Sequence, residues 1–228
     1  MIFKLPKTRW RPVYVLLPVV MLIGCQPSVR RTQTPSARHN IKNLLVIPFS
    51  DMYRLYGENV TIRSPLGGRI FTTGRTKDGA DRFLTDRLNL ILGRYKGVHL
   101  IPPGQAEGVF AQLLSQSEKE FPELEMILKM GQMLDADAVL VGYVYRFRTR
   151  EGTSYAVESP ASVAFDMDLV GIKDRRVIWS GRFDETQQPL TEDLFQIKKF
   201  FKRKGRWISA WDMADFGLEE VLRTFPVQ

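Results

Sequence analysis

The stretch SVAFDMDLVGIKDRRVIWSGRF, residues 162–183, contains two runs of alternating residues separated by a charged turn. In the first run Asp166 and Asp168 share one face, and the other face carries Val163, Phe165, Met167 and Leu169. Such alternation is typical of strands that bury one face against a core. The stretch therefore predicts an antiparallel β-hairpin.

The register of this hairpin depends on the length of its turn. On the second strand one face is formed by Val177, Trp179, Gly181 and Phe183. A shift of one residue moves every side chain to the opposite face, so the turn around residues 173–175 must contain an odd number of residues. A turn of three residues would pair Phe165 with Phe183 and Asp166 with Arg182.

Asp166 and Asp168 are about 7 Å apart along their strand face. Paired carboxylates at such a distance can serve as acid and base in hydrolysis. Alternating charge is also the pattern of a strand face in contact with water. We favour the second interpretation and predict a solvated face.

Further strands and helices precede the hairpin. Short apolar runs predict strands at residues 43–50, 98–101 and 136–148, and three-and-four spacing predicts helices over 78–95, 106–114 and 122–134. Strands that alternate with helices form sheets covered by those helices. The order predicts one α/β domain over residues 43–228, with a mixed β-sheet packed by helices.

Three segments resemble a known fold in their order and spacing: LLVIPF at 44–49, LDADAVLVGYV at 134–144, and residues 163–183. They are similar to the fold shared by the TolB amino-terminal domain, the curli-secretion channel lipoprotein and the lipoprotein activators of penicillin-binding proteins. The resemblance covers roughly residues 43–187 and implies the fold, while one fold hosts many functions. This chain departs from the pattern at Asp135 and Arg175, where relatives have glycine.

The segment from Asp51 to Thr76 is long for a connection inside a compact domain, which suggests a function or a small structure of its own. Its part NVTIRSPLGGRIFTTG, residues 59–74, predicts a hairpin that turns at Pro65 to Gly68. Tyr53, Tyr56 and Phe71 are its candidate partner contacts. The alternative is an elaboration of the fold without a partner.

The amino terminus has the features of an export signal. Residues 1–24 contain no acid, and their four cations, all within residues 4–11, are followed by an apolar run of 12 residues at 12–23 that is too short to span a membrane. The sequence Leu22-Ile23-Gly24-Cys25 then resembles the lipobox of bacterial lipoproteins. That resemblance implies cleavage between Gly24 and Cys25, and acylation of Cys25 that attaches the protein to a membrane. Gln26 implies, by the sorting rule of that family, the periplasmic face of the outer membrane.

The positive charge is concentrated outside the predicted domain. The chain has a net charge of +8, but residues 44–228 contain 25 cations and 25 acids. Residues 25–42 are rich in Pro, Ser, Thr and Arg, which predicts a flexible tether after the lipidated cysteine. A neutral domain argues against a nucleic-acid partner.

A second basic segment, IKKFFKRKGRW at residues 197–207, contains six cations. Lys198, Lys199 and Lys202 are candidate contacts with anionic lipid, the cell wall or a protein partner. Acids precede these cations along the chain, which is also the charge order that stabilises a plain helix. Both interpretations stay open.

The sequence contains no motif of an enzyme. It has no G-x-S-x-G or S-x-x-K nucleophile motif, and one cysteine with two histidines cannot build a structural zinc cluster. We therefore predict no catalytic residue, metal or cofactor. The leading hypothesis is a lipid-anchored, non-enzymatic interaction or assembly factor that binds another envelope protein, and the alternative is an oligomeric secretion or transport component. The sequence does not set the oligomeric state.

Overall fold

The computed structural model describes residues 40–116, 122–152, 157–187 and 209–226. The predicted signal peptide with Gly24 and Cys25, and the tether up to residue 39, lie outside these ranges. The basic segment with Lys198, Lys199 and Lys202 lies outside them as well.

The described helices and strands follow the predicted order. The helices are α1 (Met52–Tyr56), α2 (Ala80–Leu92), α3 (Pro103–Gln116), α4 (Glu123–Met133) and α5 (Ala210–Leu222). The strands are β1 (Asn43–Val46), β2 (Ser50–Asp51), β3 (Thr61–Arg63), β4 (Ile70–Thr72), β5 (His99–Ile101), β6 (Ala138–Arg148), β7 (Glu151–Gly152), β8 (Val157–Ser159), β9 (Ser162–Gly171) and β10 (Arg176–Thr186).

The central sheet is mixed, which confirms the predicted fold class. Its order is β10-β9-β6-β1-β5, with the short β2 also paired to β6. Strand β1 runs parallel to β5 and β6, whereas β9 runs antiparallel to both β6 and β10. Two small sheets lie apart from it, β3 with β4 and β7 with β8.

Both faces of the central sheet are covered. Helices α2 and α5 pack on one face, and α3, α4 and residues 52–77 pack on the other. Strand β6 explains this arrangement, because its run AVLVGYVY is apolar at odd and even positions and is buried throughout. Each buried aliphatic or aromatic side chain contributes about 1.5–3 kcal/mol.

Helix α2 differs from its prediction mainly at its ends. Its buried residues recur every four positions, at Ala80, Leu84, Leu88 and Leu92. The helix ends at Leu92, earlier than the predicted Tyr95, and Gly97 takes a left-handed φ of 82° in the turn before β5. Arg87 forms a bidentate ion pair with Asp215 (2.7 and 2.6 Å), which joins α2 to α5.

The turn of the β9–β10 hairpin was predicted wrongly. It contains four residues, 172–175, rather than three. The pairs Phe165–Phe183 and Asp166–Arg182 nevertheless form, because a bulge between Val177 and Trp179 adds one residue to β10. The odd-number argument assumed a regular ladder. As a consequence Val177 packs on the opposite face from Trp179.

The two departures from the glycine pattern have a common backbone conformation. Asp135 and Arg175 have φ angles of 49° and 51°, in the left-handed region that favours glycine. Arg175 is the last residue of the hairpin turn. At both positions this chain has a residue with a Cβ atom in a conformation that glycine adopts more easily.

Candidate functional site

Residues 52–77 form an insert, which contains α1, β3 and β4 and is attached at both ends to the same strand. Before the insert, β2 pairs with β6 at Tyr143 and Val144. At its end, Gly74 and Lys77 donate backbone hydrogen bonds of 2.9 Å to the carbonyl oxygens of Tyr145 and Phe147. The insert is therefore an excursion from the edge of β6 that returns two residues further along this strand.

The predicted hairpin of the insert is confirmed. Strands β3 and β4 pair with Ile62 opposite Phe71 and with Arg63 opposite Ile70. Phe71 faces the central sheet and stacks on Tyr145, with the ring centroids 3.9 Å apart and the planes 5° from parallel. Ile70 faces outward. The hairpin covers the sheet with one face and presents the other to solvent.

The face predicted to be solvated is fully buried under this hairpin. Asp166 and Asp168 are both 0% exposed. Arg69 of the hairpin places its Nη1 atom 3.5 Å from Asp166 Oδ2 and 3.5 Å from Asp168 Oδ1. The prediction was wrong because alternation along β9 does not reveal that a distant segment covers its polar face.

The strands beside β9 complete the partners of the two acids. The hydroxyl of Tyr145 on β6 donates a hydrogen bond of 2.9 Å to Asp166 Oδ1. The hydroxyl of Ser180 on β10 donates to Asp168 Oδ1. We call Arg69, Asp166, Asp168, Tyr145 and Ser180 the buried anchor, because they join the insert to three strands of the sheet.

Gly67 lets the hairpin backbone approach the buried anchor closely. A Cβ atom at this position would lie 2.8 Å from Arg69 Nη1 and 2.9 Å from Asp168 Oδ2. No side chain fits there without displacing one of the charged groups. The glycine in the predicted turn is thus required by a close contact with the sheet.

The surroundings of the acids favour their protonated forms. Burial, and then the charge of Asp168, raise the pKa of Asp166 to about 7, while Ser64, Tyr145 and Arg69 lower it in part. Burial also raises the pKa of Asp168, against the effects of Ser180 and Arg69. Burial raises the pKa of Glu123 on α4, whose Oε1 accepts a hydrogen bond of 2.5 Å from Tyr143.

The geometry suits an attachment better than a reaction site. Both carboxyl groups contact protein groups at zero exposure, so a substrate would reach them only if the insert moved away. Arg69 already occupies the position where a cation would neutralise them. Within the described ranges no group of three or more His, Cys, Asp or Glu side chains is placed to hold a metal ion.

The candidate partner contacts of the insert have different positions. Tyr56 on α1 is 52% exposed and Tyr53 is half-buried. Phe71 is only 2% exposed, so it belongs to the core and is a correction to the prediction. Its neighbour Ile70 is 53% exposed, and the alternation of the predicted strand could have indicated that one of the two must face outward.

Exposed apolar side chains are concentrated on the insert. Seven large apolar residues are exposed in the described part of the chain, and four of them are in the insert: Leu55, Tyr56, Val60 and Ile70. The other three are distributed singly over α2, α3 and α4. Scattered apolar residues are normal on a protein surface, whereas a concentration marks an interaction site.

Like the segment at residues 197–207, the insert is a basic part of the domain. It contains five cations and one acid, within a domain whose cations and acids are equal in number. Arg63 and Lys77 are exposed, whereas the exposed Arg54 and Arg75 form ion pairs of 3.2 Å with Asp51 and Glu58. The outer side of the insert therefore combines apolar residues with positive charge.

None of the helices in the described ranges has the length and hydropathy needed to cross a membrane.

Comparisons with known proteins give similarities of structure only. No protein-family model and no curated protein matches the sequence.

Among solved structures, the chain is similar to a PelC dodecamer from Paraburkholderia phytofirmans, with 12% identity, coverage of 86% of this chain and 96% of that chain, and a TM-score of 0.47. It is similar to the LpoB C-terminal domain from Salmonella enterica, with 17% identity, coverage of 64% and 83%, and a TM-score of 0.39. It is also similar to lipoprotein GNA1162 from Neisseria meningitidis, with 16% identity, coverage of 72% and 94%, and a TM-score of 0.36.

Proposed function

We propose that this protein is a non-enzymatic interaction factor of the bacterial envelope, attached to the outer membrane through Cys25, whose partner binds the outer side of the insert. The observation that carries this proposal is the concentration of Leu55, Tyr56, Val60 and Ile70 on one basic segment. Exposed apolar side chains of this size stabilise a complex when a partner covers them.

The charge of the insert defines the kind of partner. Arg63 stands opposite Ile70 on the outer face of the hairpin, so positive charge borders the apolar residues. Complementary charge accelerates association and excludes wrong partners. We therefore expect an envelope protein that offers an apolar surface bordered by acidic residues.

Site-specific photo-crosslinking in intact membranes tests the partner surface. A photoreactive residue at Tyr56 or at Ile70 is expected to capture the same protein through an acidic peptide. The matched controls are Leu90 on α2 and Phe110 on α3, which are exposed to a similar degree but lie outside the insert. The reversal Arg63→Glu should reduce capture from Ile70.

Three outcomes would contradict this proposal. No capture from the insert, or equal capture from Leu90 and Phe110, would remove the partner surface. Capture of a second copy of this chain would contradict a different envelope protein as the partner and would favour the oligomeric alternative.

Attachment through Cys25 has a separate test. We expect incorporation of a palmitate analogue and recovery in the membrane fraction, both of which are lost in Cys25→Ser. Unchanged membrane recovery of Cys25→Ser would show that another segment provides the attachment.

A further inference from the structure

The buried anchor contains more negative than positive charge. Asp166 and Asp168 are completely buried, and Arg69 Nη1 lies 3.5 Å from each of them, so one guanidinium faces two carboxyl groups. No donor meets hydrogen-bond geometry at Asp166 Oδ2 or Asp168 Oδ2, although the Ser64 hydroxyl and the Gly67 backbone N–H lie near the two acids and lower their pKa values in part. An ion without compensation is costly in such a place, and a bound proton removes that cost.

The other groups around the two acids do not restore the balance. Tyr143 and Tyr145 of β6, Ser180 of β10 and Ser64 of the hairpin are neutral hydroxyls. Glu123 of α4 adds a further acid near Asp168.

The neighbouring arginines are engaged elsewhere. Arg182, which pairs with Asp166 in the strand register, directs its guanidinium to Asp184 at 2.7 Å and over the ring of Phe71 at 4.3 Å. Arg146 also binds Asp184 at 2.7 Å. Among the described residues, Arg69 is thus the cation in direct contact with the acid pair.

We propose that the insert is held by a proton-linked latch, in which one of the two acids Asp166 and Asp168 carries a proton beside Arg69, and uptake of that proton tightens the docking of the hairpin. The latch itself is a property of the protein alone. Its role as a regulator of partner binding rests on the proposed function, because the insert carries the proposed partner surface.

The direction of the effect follows from proton linkage. The docked form has a pKa of about 7 at Asp166, and exposure to water would return it towards the ordinary value near 3.9. The docked form therefore binds more protons between these two values. Docking weakens as the pH rises towards 7 and is independent of pH above it.

Undocking would also alter the outer side of the hairpin. Strands β3 and β4 have three residues each and, within the described ranges, pair with one another and with no other strand. A two-stranded hairpin of this size is at best marginally stable in water without packing. Loss of the docking contacts would thus melt the hairpin and separate Arg63 from Ile70.

Hydrogen exchange of the full chain in detergent, without a partner, measures the latch directly. Protection factors of the β3 and β4 amides, corrected for the intrinsic pH dependence of exchange, should rise by up to tenfold for each pH unit from about 7 down to about 4, and should be constant above about 7. The amides of α2 are the internal reference, and their protection should change less.

Matched variants identify the groups that take up the proton. Asp166→Asn and Asp168→Asn should each reduce the slope, because the remaining acid is still buried, and the double variant Asp166→Asn with Asp168→Asn should abolish it. Glu123→Gln, which alters the adjacent acid on α4, should retain it. A flat or reversed profile in the unmodified protein, an equal slope at α2, or a slope retained in the double asparagine variant would overturn the latch.

The two proposals fail separately. If the β3 and β4 protection factors depend on pH as expected but Tyr56 and Ile70 give no crosslink, the latch is supported and the partner surface is contradicted. A specific crosslink whose yield is the same at pH 6 and pH 8, in a protein that shows the slope, would contradict the regulatory role.

Discussion

The two faces of the central sheet are both buried, but different interactions cover them. On the face of α2 and α5, Phe165 packs edge-on against Phe49 and stacks on Phe183. On the other face, the same strand directs Asp166 and Asp168 into a charged cluster under a short hairpin. Apolar packing is non-directional and nearly independent of pH, whereas the charged contact depends on position and protonation. One strand thus joins an apolar core to a charged attachment of the insert.

The largest effect is expected on the apolar face. Phe165→Ala removes a fully buried ring and should destabilise the protein by about 3–5 kcal/mol, because a cavity remains in a packed core. Denaturant unfolding measures this loss, with Leu90→Ala on the exposed side of α2 as the control. A loss below about 1 kcal/mol would show that α2 and α5 close the cavity.

A smaller and local effect is expected from Arg69→Met on the polar face. Removal of one partner from a buried ion pair costs about 3–5 kcal/mol when the other partner stays buried. Here undocking of the insert can return both acids to water, so the global loss should be smaller than that range. Hydrogen exchange should show lost protection in β3 and β4 with α2 unchanged.

Two further variants sharpen this result. Arg63→Met removes an arginine from the outer face of the same hairpin and should have little effect. The triple variant Arg69→Met, Asp166→Asn and Asp168→Asn also removes the buried carboxylates that have lost their cation. It should restore part of the hydrogen-exchange protection of β3 and β4. Equal losses in Arg63→Met and Arg69→Met would contradict the role of the buried anchor.

An intermediate effect is expected from Tyr145→Phe, which removes the donor to Asp166 but keeps the ring that stacks on Phe71. A buried acceptor without its donor costs about 1–3 kcal/mol. Since that donor lowers the pKa of Asp166, its loss should raise this pKa further. The carboxylate form then becomes harder to bury, so the loss of stability should be larger at pH 8 than at pH 6. An equal loss at both pH values would contradict the contact.

The strand order could be predicted from local patterns, while the buried anchor could not. Alternation along residues 162–171 correctly assigned the two faces of β9. The second face is covered by Arg69 and Phe71, which lie almost a hundred residues earlier in the chain. One signal was present in the sequence. Strand β6 is apolar on both faces, which indicates that both faces of the sheet are covered at this strand, and the face of the neighbouring strand β9 that carries Asp166 and Asp168 should then be covered as well.

The hairpin turn shows a second limit of pattern reasoning. Counting turn residues assumed a regular ladder, and a bulge at Ile178 has no signature in the alternation of VIWSGRF. The correct pairing of Phe165 with Phe183 arose from two deviations, a longer turn and a bulge, that compensate each other. Apolar packing of the two rings fixes this register more strongly than the turn does.

The smallest expected effect concerns that turn. Arg175 has a φ of 51°, which costs about 1–2 kcal/mol for a residue with a Cβ atom. Arg175→Gly removes this cost. It also increases the conformational entropy of the unfolded chain and breaks an exposed ion pair of 3.1 Å with Glu125, and both effects destabilise the folded protein. These terms leave a net stabilisation of at most about 1 kcal/mol. The control Lys173→Gly, in the same turn and outside the left-handed region, gains nothing from glycine and should destabilise the protein. Thermal unfolding of the two variants in opposite directions would show that the backbone of Arg175 is strained, whereas equal destabilisation would show that its side chain matters more than its conformation.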